Sequence, residues 1–431
     1  MHAHSYLRSS IEILNEYKGE EPFASFLKKY FGRNKKFGSK DRKQVGHLCY
    51  CYFRLGKALL KISTEERILI GLFLCSDRNS EILQQLKPEW NKKIESPARE
   101  KLLIINYSCL SGRQPLLIEH VFPWKEELSE GMDHEKFCQS FFIQPDLFIR
   151  LRHGHEREVK AKLFEHGNNF SEISSSCLAL PNASKIESII DLDKEAVVQD
   201  LSSQRTGELA KNFSEGVLSD KIFPLSPFEK NSNLKVQVWD CCAGSGGKSI
   251  MLYDIDPGIE LTVSDIRESI LINLKKRFEK AGVKNYKSVI ADLTSPNLKS
   301  HISPKVGKDS LGESLRTNFE FIICDAPCTG SGTWSRTPEQ LYFFDEKKTG
   351  QFASLQKKIV SNIVPRLKEG GYILYITCSV FKKENEEVAS FIEDKFGLQL
   401  IKMEVFKGYD KRADTMFAAL FKKDSKPDQF L

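Results

Sequence analysis

No apolar run in the sequence is long enough to cross a bilayer. The longest, such as Ile68-Leu69-Ile70-Gly71-Leu72-Phe73-Leu74, fall well short of the ~20 residues a spanning helix needs, so a soluble chain with no membrane partner is expected. The first residues, Met1-His2-Ala3-His4-Ser5-Tyr6-Leu7-Arg8, lack the apolar core of an export signal. Zinc-type cysteine spacing is missing as well. There are eleven cysteines, an odd number, and the close pairs Cys49/Cys51, Cys241/Cys242 and Cys324/Cys328 give no CxxC. Free thiols in a reducing cytoplasm are therefore expected, with no metal. Overall charge is small, at +6, but it is concentrated. Between Lys28 and Lys61 stand eleven Lys/Arg against the single acid Asp41, a local net of +10 that leaves the rest of the chain at −4. Such a patch is the footprint of a phosphate backbone, or else a solvated helix face.

At 431 residues the chain should form two to three domains. Residues 1–133 read as helical, with apolar residues three and four apart (Leu7, Ile11, Leu14; Leu48, Tyr52, Leu55, Leu59). Gly32 and the Gly38-Ser39-Lys40-Asp41 cluster break the first helices, and Ser39 is expected to N-cap the helix beginning near Lys40. Ser96-Pro97 opens another helix, and Phe122-Pro123-Trp124 redirects the chain. Residues 134–225 read as a small α+β, RRM-like module, with strands at Leu147–Arg152 and Cys177–Leu180 and a helix at Glu156–His166. Arg150, Arg152, His153 and His155 either face RNA or form an ordinary polar strand face. A helix through Leu209 follows, then a loop over Phe223–Asn233.

Residues 226–431 alternate strand and helix as in a doubly wound, Rossmann-like α/β sheet. Seven strands are expected, at Val236–Trp239, Leu261–Ser264, Ser288–Ala291, Phe319–Cys324, Tyr372–Thr377, Leu398–Met403 and Met416–Phe421, with a polar loop over 294–317. Four of them end in a carboxylate, Asp240, Asp265, Asp292 and Asp325, and ligands on such sheets bind outside the strands' C-terminal ends.

Val238-Trp239-Asp240-Cys241-Cys242-Ala243-Gly244-Ser245-Gly246-Gly247-Lys248 is a strand, a glycine turn and a helix start, which suits the polar end of a nucleotide-like cofactor. Asp265 lies 25 residues after Asp240, near the ~20-residue spacing at which an acid receives ribose hydroxyls. A phosphate loop is the weaker reading of Gly246-Gly247-Lys248-Ser249, because Cys242 stands where the first tight glycine belongs. Cys328, in Asp325-Ala326-Pro327-Cys328-Thr329-Gly330-Ser331-Gly332, and Cys378, in Thr377-Cys378-Ser379, sit at strand ends of one sheet. Cysteines so placed are candidate thiolate nucleophiles, and position alone leaves both eligible.

Asp240-x-Cys242-Ala243-x-x-Gly246-Gly247-Lys248, Asp325-Ala326-Pro327-Cys328-x-Gly330-x-Gly332 and Thr377-Cys378-Ser379 followed by Glu384-Asn385-Glu386 together resemble the RsmB/Sun family of RNA 5-methylcytosine methyltransferases. The resemblance extends over Phe141–Lys211 and, less specifically, to Gly38-Ser39-Lys40-Asp41-Arg42. It implies S-adenosylmethionine as cofactor, held by Cys242, Ala243, Gly244, Ser245, Gly246, Gly247 and Lys248 at the methionine end, Asp265 at the ribose, Asp292 near the adenine, and Asp325. It implies further that Cys378 attacks cytosine carbon 6, that Cys328 assists proton removal and enzyme release, and that Asp325 hydrogen-bonds the base. The sequence departs from the family pattern at Gly244-Ser245, at Ile270, where Arg267 is the substitute at hand, and at Ser335-Arg336-Thr337-Pro338-Glu339. The expected protein is a cytoplasmic monomer acting on RNA, ribosomal rather than transfer RNA; an inactive RNA-binding assembly factor is the alternative.

Overall fold

The structure is a computed structural model that describes residues 3–110, 112–214, 235–295, 300–301 and 318–424. The loop expected over Phe223–Asn233 lies outside those residues, as does most of the one over 294–317. The chain divides into two compact units, one of Met1–Pro145 with Thr333–Glu346 and one of Asp146–Gly332 with Lys347–Leu431. Among the described residues no helix is long and apolar enough to cross a membrane.

The first unit is helical, as the three-and-four spacing requires. Its longer helices are Ala3–Glu16, Phe23–Arg33, Ser39–Arg54, Thr64–Cys75 and Ala98–Ser108. Gly38, not Ser39, caps the third. The Asp41 carboxylate accepts from the Gly38 N–H at 3.2 Å, so the acid three residues on serves the helix start and Ser39 is already helical. A short helix from the later chain, Pro338–Phe343, joins this unit. Tyr342 and Phe343 close an aromatic cluster with Tyr17, Phe23, Tyr52 and Phe53. Arg67 is 1% exposed in the same core; its guanidinium donates to the Gly56 carbonyl at 2.7 Å and to the Ala58 carbonyl, and lies 4.8 Å and 5.3 Å from the Tyr52 and Tyr342 rings.

This packing reduces the basic patch. Arg54 is buried and donates to the Phe141 and Ile143 carbonyls and to Gln144, while Lys57 donates to the Tyr342 and Phe344 carbonyls. Lys29 pairs with Glu21 and Arg33 with Glu16. Lys28, Lys35, Lys36, Lys40, Arg42, Lys43 and Lys61 remain exposed.

The second unit holds two sheets. The smaller contains β1 (Leu147–Leu151), β2 (Ser171–Ser174), β3 (Cys177–Leu180) and β4 (Ala196–Val198), all antiparallel in the order β2-β3-β1-β4. The helix Glu156–Glu165 covers it, with Val159 and Leu163 in one apolar cluster with Ile149, Leu151, Leu178 and Leu180. Arg150 and Arg152 are structural. Both pair with Asp254, at 2.7 Å and 2.6 Å, tying β1 to the helix Gly247–Ile255.

The larger sheet contains β5 (Gln237–Asp240), β6 (Glu260–Asp265), β7 (Tyr286–Ala291), β8 (Ser300–His301), β9 (Phe319–Asp325), β10 (Leu367–Thr377), β11 (Gln399–Phe406) and β12 (Met416–Lys422). All seven expected strands are present. The order is β11-β12-β10-β9-β5-β6-β7-β8; β10, β9, β5, β6 and β7 run parallel, and β8, β11 and β12 antiparallel to their neighbours. Helices cover both faces, so the central strands are continuously apolar and bury Trp239, Ile322, Tyr375 and Phe421 in one cluster and Val263, Ile323, Leu374 and Ile376 in the other. From β5 the chain adds β6 and β7 on one side, then returns to add β9 and β10 on the other. At such a reversal open sheets bind ligands, here outside the C-terminal ends of β5 and β9.

Candidate active site

The glycine turn after β5 lies at this reversal. Gly246 has φ +85° and caps the helix Gly247–Ile255; a Cβ there would come within 2.7 Å of Phe278 and 3.0 Å of Leu274, so only glycine fits the turn under that neighbouring helix. Arg277 fixes the turn from outside, donating to the Ser245 carbonyl and hydroxyl at 3.1 Å and 3.0 Å while pairing with Asp193 of the small module at 2.7 Å.

The four strand-end acids have four different environments. Asp240 is 1% exposed; Oδ2 accepts from the Ser249 hydroxyl at 2.6 Å and Oδ1 has no partner, and burial pushes its carboxyl up to about 7. Asp265, also buried, accepts from the Gly244 N–H at 3.1 Å, the Arg267 N–H at 2.9 Å and the Arg267 guanidinium at 3.1 and 3.2 Å. Arg267 thus occupies the acid that the sequence assigns to a ribose. Asp292 closes its own turn, taking the Thr294 hydroxyl and N–H at 2.7 Å and 2.9 Å, and these bonds hold its carboxyl below the usual range. Asp325 is paired with Lys248 at 2.6 Å; burial opposes the Lys248 ammonium, but Asp325 outweighs it and the ammonium is held above its ordinary value.

Cys328 and Cys378, fifty residues apart, place their sulfurs 3.3 Å from each other. Both are free thiols and both are partly exposed. The hydrogen bond with Cys378, then burial, push the Cys328 thiol well above its ordinary value. Backbone bonds lock the two loops together: Gly332 N–H to the Cys378 carbonyl at 2.8 Å and Thr415 N–H to the Gly332 carbonyl at 2.9 Å. A Cβ on Gly332 would lie 1.9 Å from the Thr415 carbonyl oxygen, so glycine is required for the approach.

Beneath both loops lies a residue that the sequence motif includes but gives no role. Glu384 is fully buried and accepts from the Thr329 N–H (2.8 Å) and hydroxyl (2.6 Å), the Ser379 hydroxyl (2.7 Å) and Gln356 Nε2 (3.3 Å). Burial raises its carboxyl. Its neighbour Asn385 accepts from the Thr377 hydroxyl and donates to the Ser379 carbonyl at 2.9 Å. Its signal in the sequence is the Glu384-Asn385-Glu386 run that follows Thr377-Cys378-Ser379, which does not show what Glu384 binds. Another grouping hidden by spacing is Cys241, Cys242 and Cys324, whose sulfurs lie within 4.8 Å of one another. Cys241 and Cys324 are wholly buried in the apolar core, where thiols pack as small apolar groups.

Residues 225–430 match the family model described as 16S rRNA methyltransferase RsmB/F. Ribosomal RNA small subunit methyltransferase B of Proteus mirabilis is 28% identical over 260 residues, 58% of this chain and 52% of the relative. Its namesake in Yersinia enterocolitica is 28% identical over 160 residues, 36% of this chain and 33% of the relative. The chain therefore spans about half the length, or less, of these curated relatives. Among solved structures, PH0851 superposes with a TM-score of 0.62 at 18% identity over 97% of this chain and 98% of its own. NSun6 from Pyrococcus horikoshii, solved with SFG, gives 0.53 at 15% identity over 72% of this chain and 97% of its own. These likenesses establish the Rossmann-like methyltransferase fold. Over residues 225–430 the chain is similar to the RsmB/F methyltransferase family.

Proposed function

We propose that the protein transfers a methyl group from S-adenosylmethionine to carbon 5 of a cytosine in RNA, through a covalent bond between Cys378 and the base. The observation that carries this reading is the pair of free thiols 3.3 Å apart at the ends of adjacent parallel strands, with Asp325 at the end of the same β9. The relatives' names favour small-subunit ribosomal RNA over transfer RNA. Eleven free cysteines accord with a cytoplasmic location.

The residues at the reversal fit the cofactor. Asp240 Oδ1 is a buried carboxylate oxygen without a partner, suited to the ammonium of a methionine moiety, and the Gly244–Gly247 turn opens a helix N-terminus beside it. Asp265 is the ribose acceptor in this reading, with Arg267 steering its carboxylate, and Asp292 is assigned to the adenine side. Bound there, the cofactor supplies an electrophilic methyl. Carbon 5 of cytosine is a weak nucleophile. The Cys378 thiolate adds to carbon 6 and makes carbon 5 electron-rich; carbon 5 takes the methyl and loses its proton, and carbon 6 releases the thiolate. Asp325, oriented by Lys248, hydrogen-bonds the base as the adduct forms. Cys328, whose sulfur lies 3.3 Å from that of Cys378, assists removal of the carbon 5 proton and the release of the enzyme. The base must leave its stack to reach these groups. In this account residues 1–133 dock RNA, 134–225 form the small module and 226–431 carry the chemistry.

The test is tritium transfer from methyl-labelled S-adenosylmethionine to protein-free small-subunit ribosomal RNA, with nuclease digestion of the product. Label in 5-methylcytidine is expected. Label on transfer RNA only would change the substrate, and no label on any RNA despite measurable cofactor binding would favour the assembly factor.

A further inference from the structure

We infer that Glu384 is a positioning residue that sets the separation of Cys328 and Cys378. The inference rests on the proposed two-cysteine reaction for its purpose, though not for its geometry. A buried carboxylate costs free energy unless hydrogen bonds satisfy it, and here four donors do so: two from Thr329, next to Cys328; one from Ser379, next to Cys378; and one from Gln356, on the helix Lys347–Ile363. Oε1 takes both hydroxyls and Oε2 takes the two N–H donors. One side chain therefore binds the residue following each thiol. Its own backbone is held in turn, because the buried Tyr375 hydroxyl donates to the Glu384 carbonyl at 2.7 Å.

The donor pattern makes the acid specific. Glutamine in the same place accepts the two hydroxyls but presents its amide N–H groups to the Thr329 N–H and the Gln356 amide, donor against donor. The Thr329 side opens, and the Cys328 loop moves away from Cys378. The Ser331 hydroxyl, which accepts from the Val380 N–H at 2.9 Å, and the Gly332–Cys378 backbone bond are untouched and keep the loops folded.

The two thiols themselves report their separation. Diamide takes two electrons and two protons from a pair of adjacent thiols, becoming the hydrazine and leaving a disulfide, and it needs neither cofactor nor RNA. In the full-length protein, disulfide formation between Cys328 and Cys378, followed by peptide mass, should be at least tenfold slower in Glu384→Gln than in wild type. Alkylation of each cysteine in the single Cys328→Ser and Cys378→Ser backgrounds should change less than twofold. Glu384→Asp, which keeps four acceptor sites, should recover part of the rate. Wild-type cross-linking in folded Glu384→Gln overturns the inference. If that variant does not fold, Thr329→Val, which removes the hydroxyl's 2.6 Å bond to Glu384 together with its longer contacts to the Ser331 and Ser379 hydroxyls and leaves the Thr329 N–H bond, should still slow cross-linking about threefold, and a wild-type rate there overturns it equally. In the methylation assay Glu384→Gln should lower kcat tenfold or more and leave the KM for S-adenosylmethionine within twofold. Absence of methylation by the wild type would overturn the proposed function while the cross-linking result stood.

Discussion

Asp240 offers a measurement whose sign is fixed by burial. Its carboxyl lies at about 7 in the folded protein, against ~3.9 in an unfolded chain. Between those values the folded state binds the extra proton, so stability falls as pH rises; the loss begins near pH 4 and is complete a little above pH 7. A rise of about 3 in pKa corresponds to about 4 kcal/mol in total, of which about 3 kcal/mol falls between pH 5 and 8. Asp240→Asn carries no charge at any pH, keeps an acceptor for the Ser249 hydroxyl, and removes this dependence. Melting followed by circular dichroism in both proteins should therefore show the variant gaining on wild type as pH rises, by about 6 °C between pH 5 and 8 at roughly 2 °C per kcal/mol. A difference that stays constant or shrinks over that range would refute the argument. The same linkage predicts that wild-type affinity for S-adenosylmethionine rises between pH 5.5 and about 7 with release of a proton, measurable by calorimetry in buffers of different ionisation enthalpy.

Two further outcomes follow from the site and the helical unit. Asp265→Ala should cost about 1.5–3 kcal/mol in cofactor binding, tenfold to a hundredfold, and calorimetry showing wild-type affinity in a folded variant would move the ribose elsewhere. Reversing Lys35, Lys36, Lys40 and Arg42 to Glu, all exposed, should weaken RNA binding and flatten its salt dependence without altering cofactor affinity; an unchanged filter-binding titration would remove the patch from the RNA contact.

The larger sheet was legible because its central strands are covered on both faces and read as unbroken apolar runs ending in Asp. By contrast β2, Ser-Glu-Ile-Ser, is exposed throughout and has neither alternation nor an apolar run to announce it. The place of Thr333–Glu346 in the helical unit was hidden by distance, since Tyr342 meets Tyr52 across 290 residues. Charge counting overstated the basic patch for a related reason. Arg54 and Lys57 spend their donors on carbonyls inside the fold, as Arg150 and Arg152, outside the patch, spend theirs on Asp254; nothing in composition separates them from exposed cations. In the site, motif spacing located the strand-end acids and the two cysteines. It did not reveal that Arg267 lies on Asp265 or that Glu384 joins the cysteine loops, because both depend on side-chain direction.

The division of labour between the two sulfurs is tested most directly by trapping the adduct. Wild type, Cys378→Ala and Cys328→Ala are each incubated with small-subunit ribosomal RNA and methyl-labelled S-adenosylmethionine, then run on a denaturing gel. Cys328→Ala should attack and transfer methyl yet fail to eliminate, giving a shifted protein–RNA band that carries label, while Cys378→Ala should give neither band nor product. A labelled shifted band from Cys378→Ala and none from Cys328→Ala would reverse the roles, and methylated RNA from Cys378→Ala without any band would contradict the covalent mechanism.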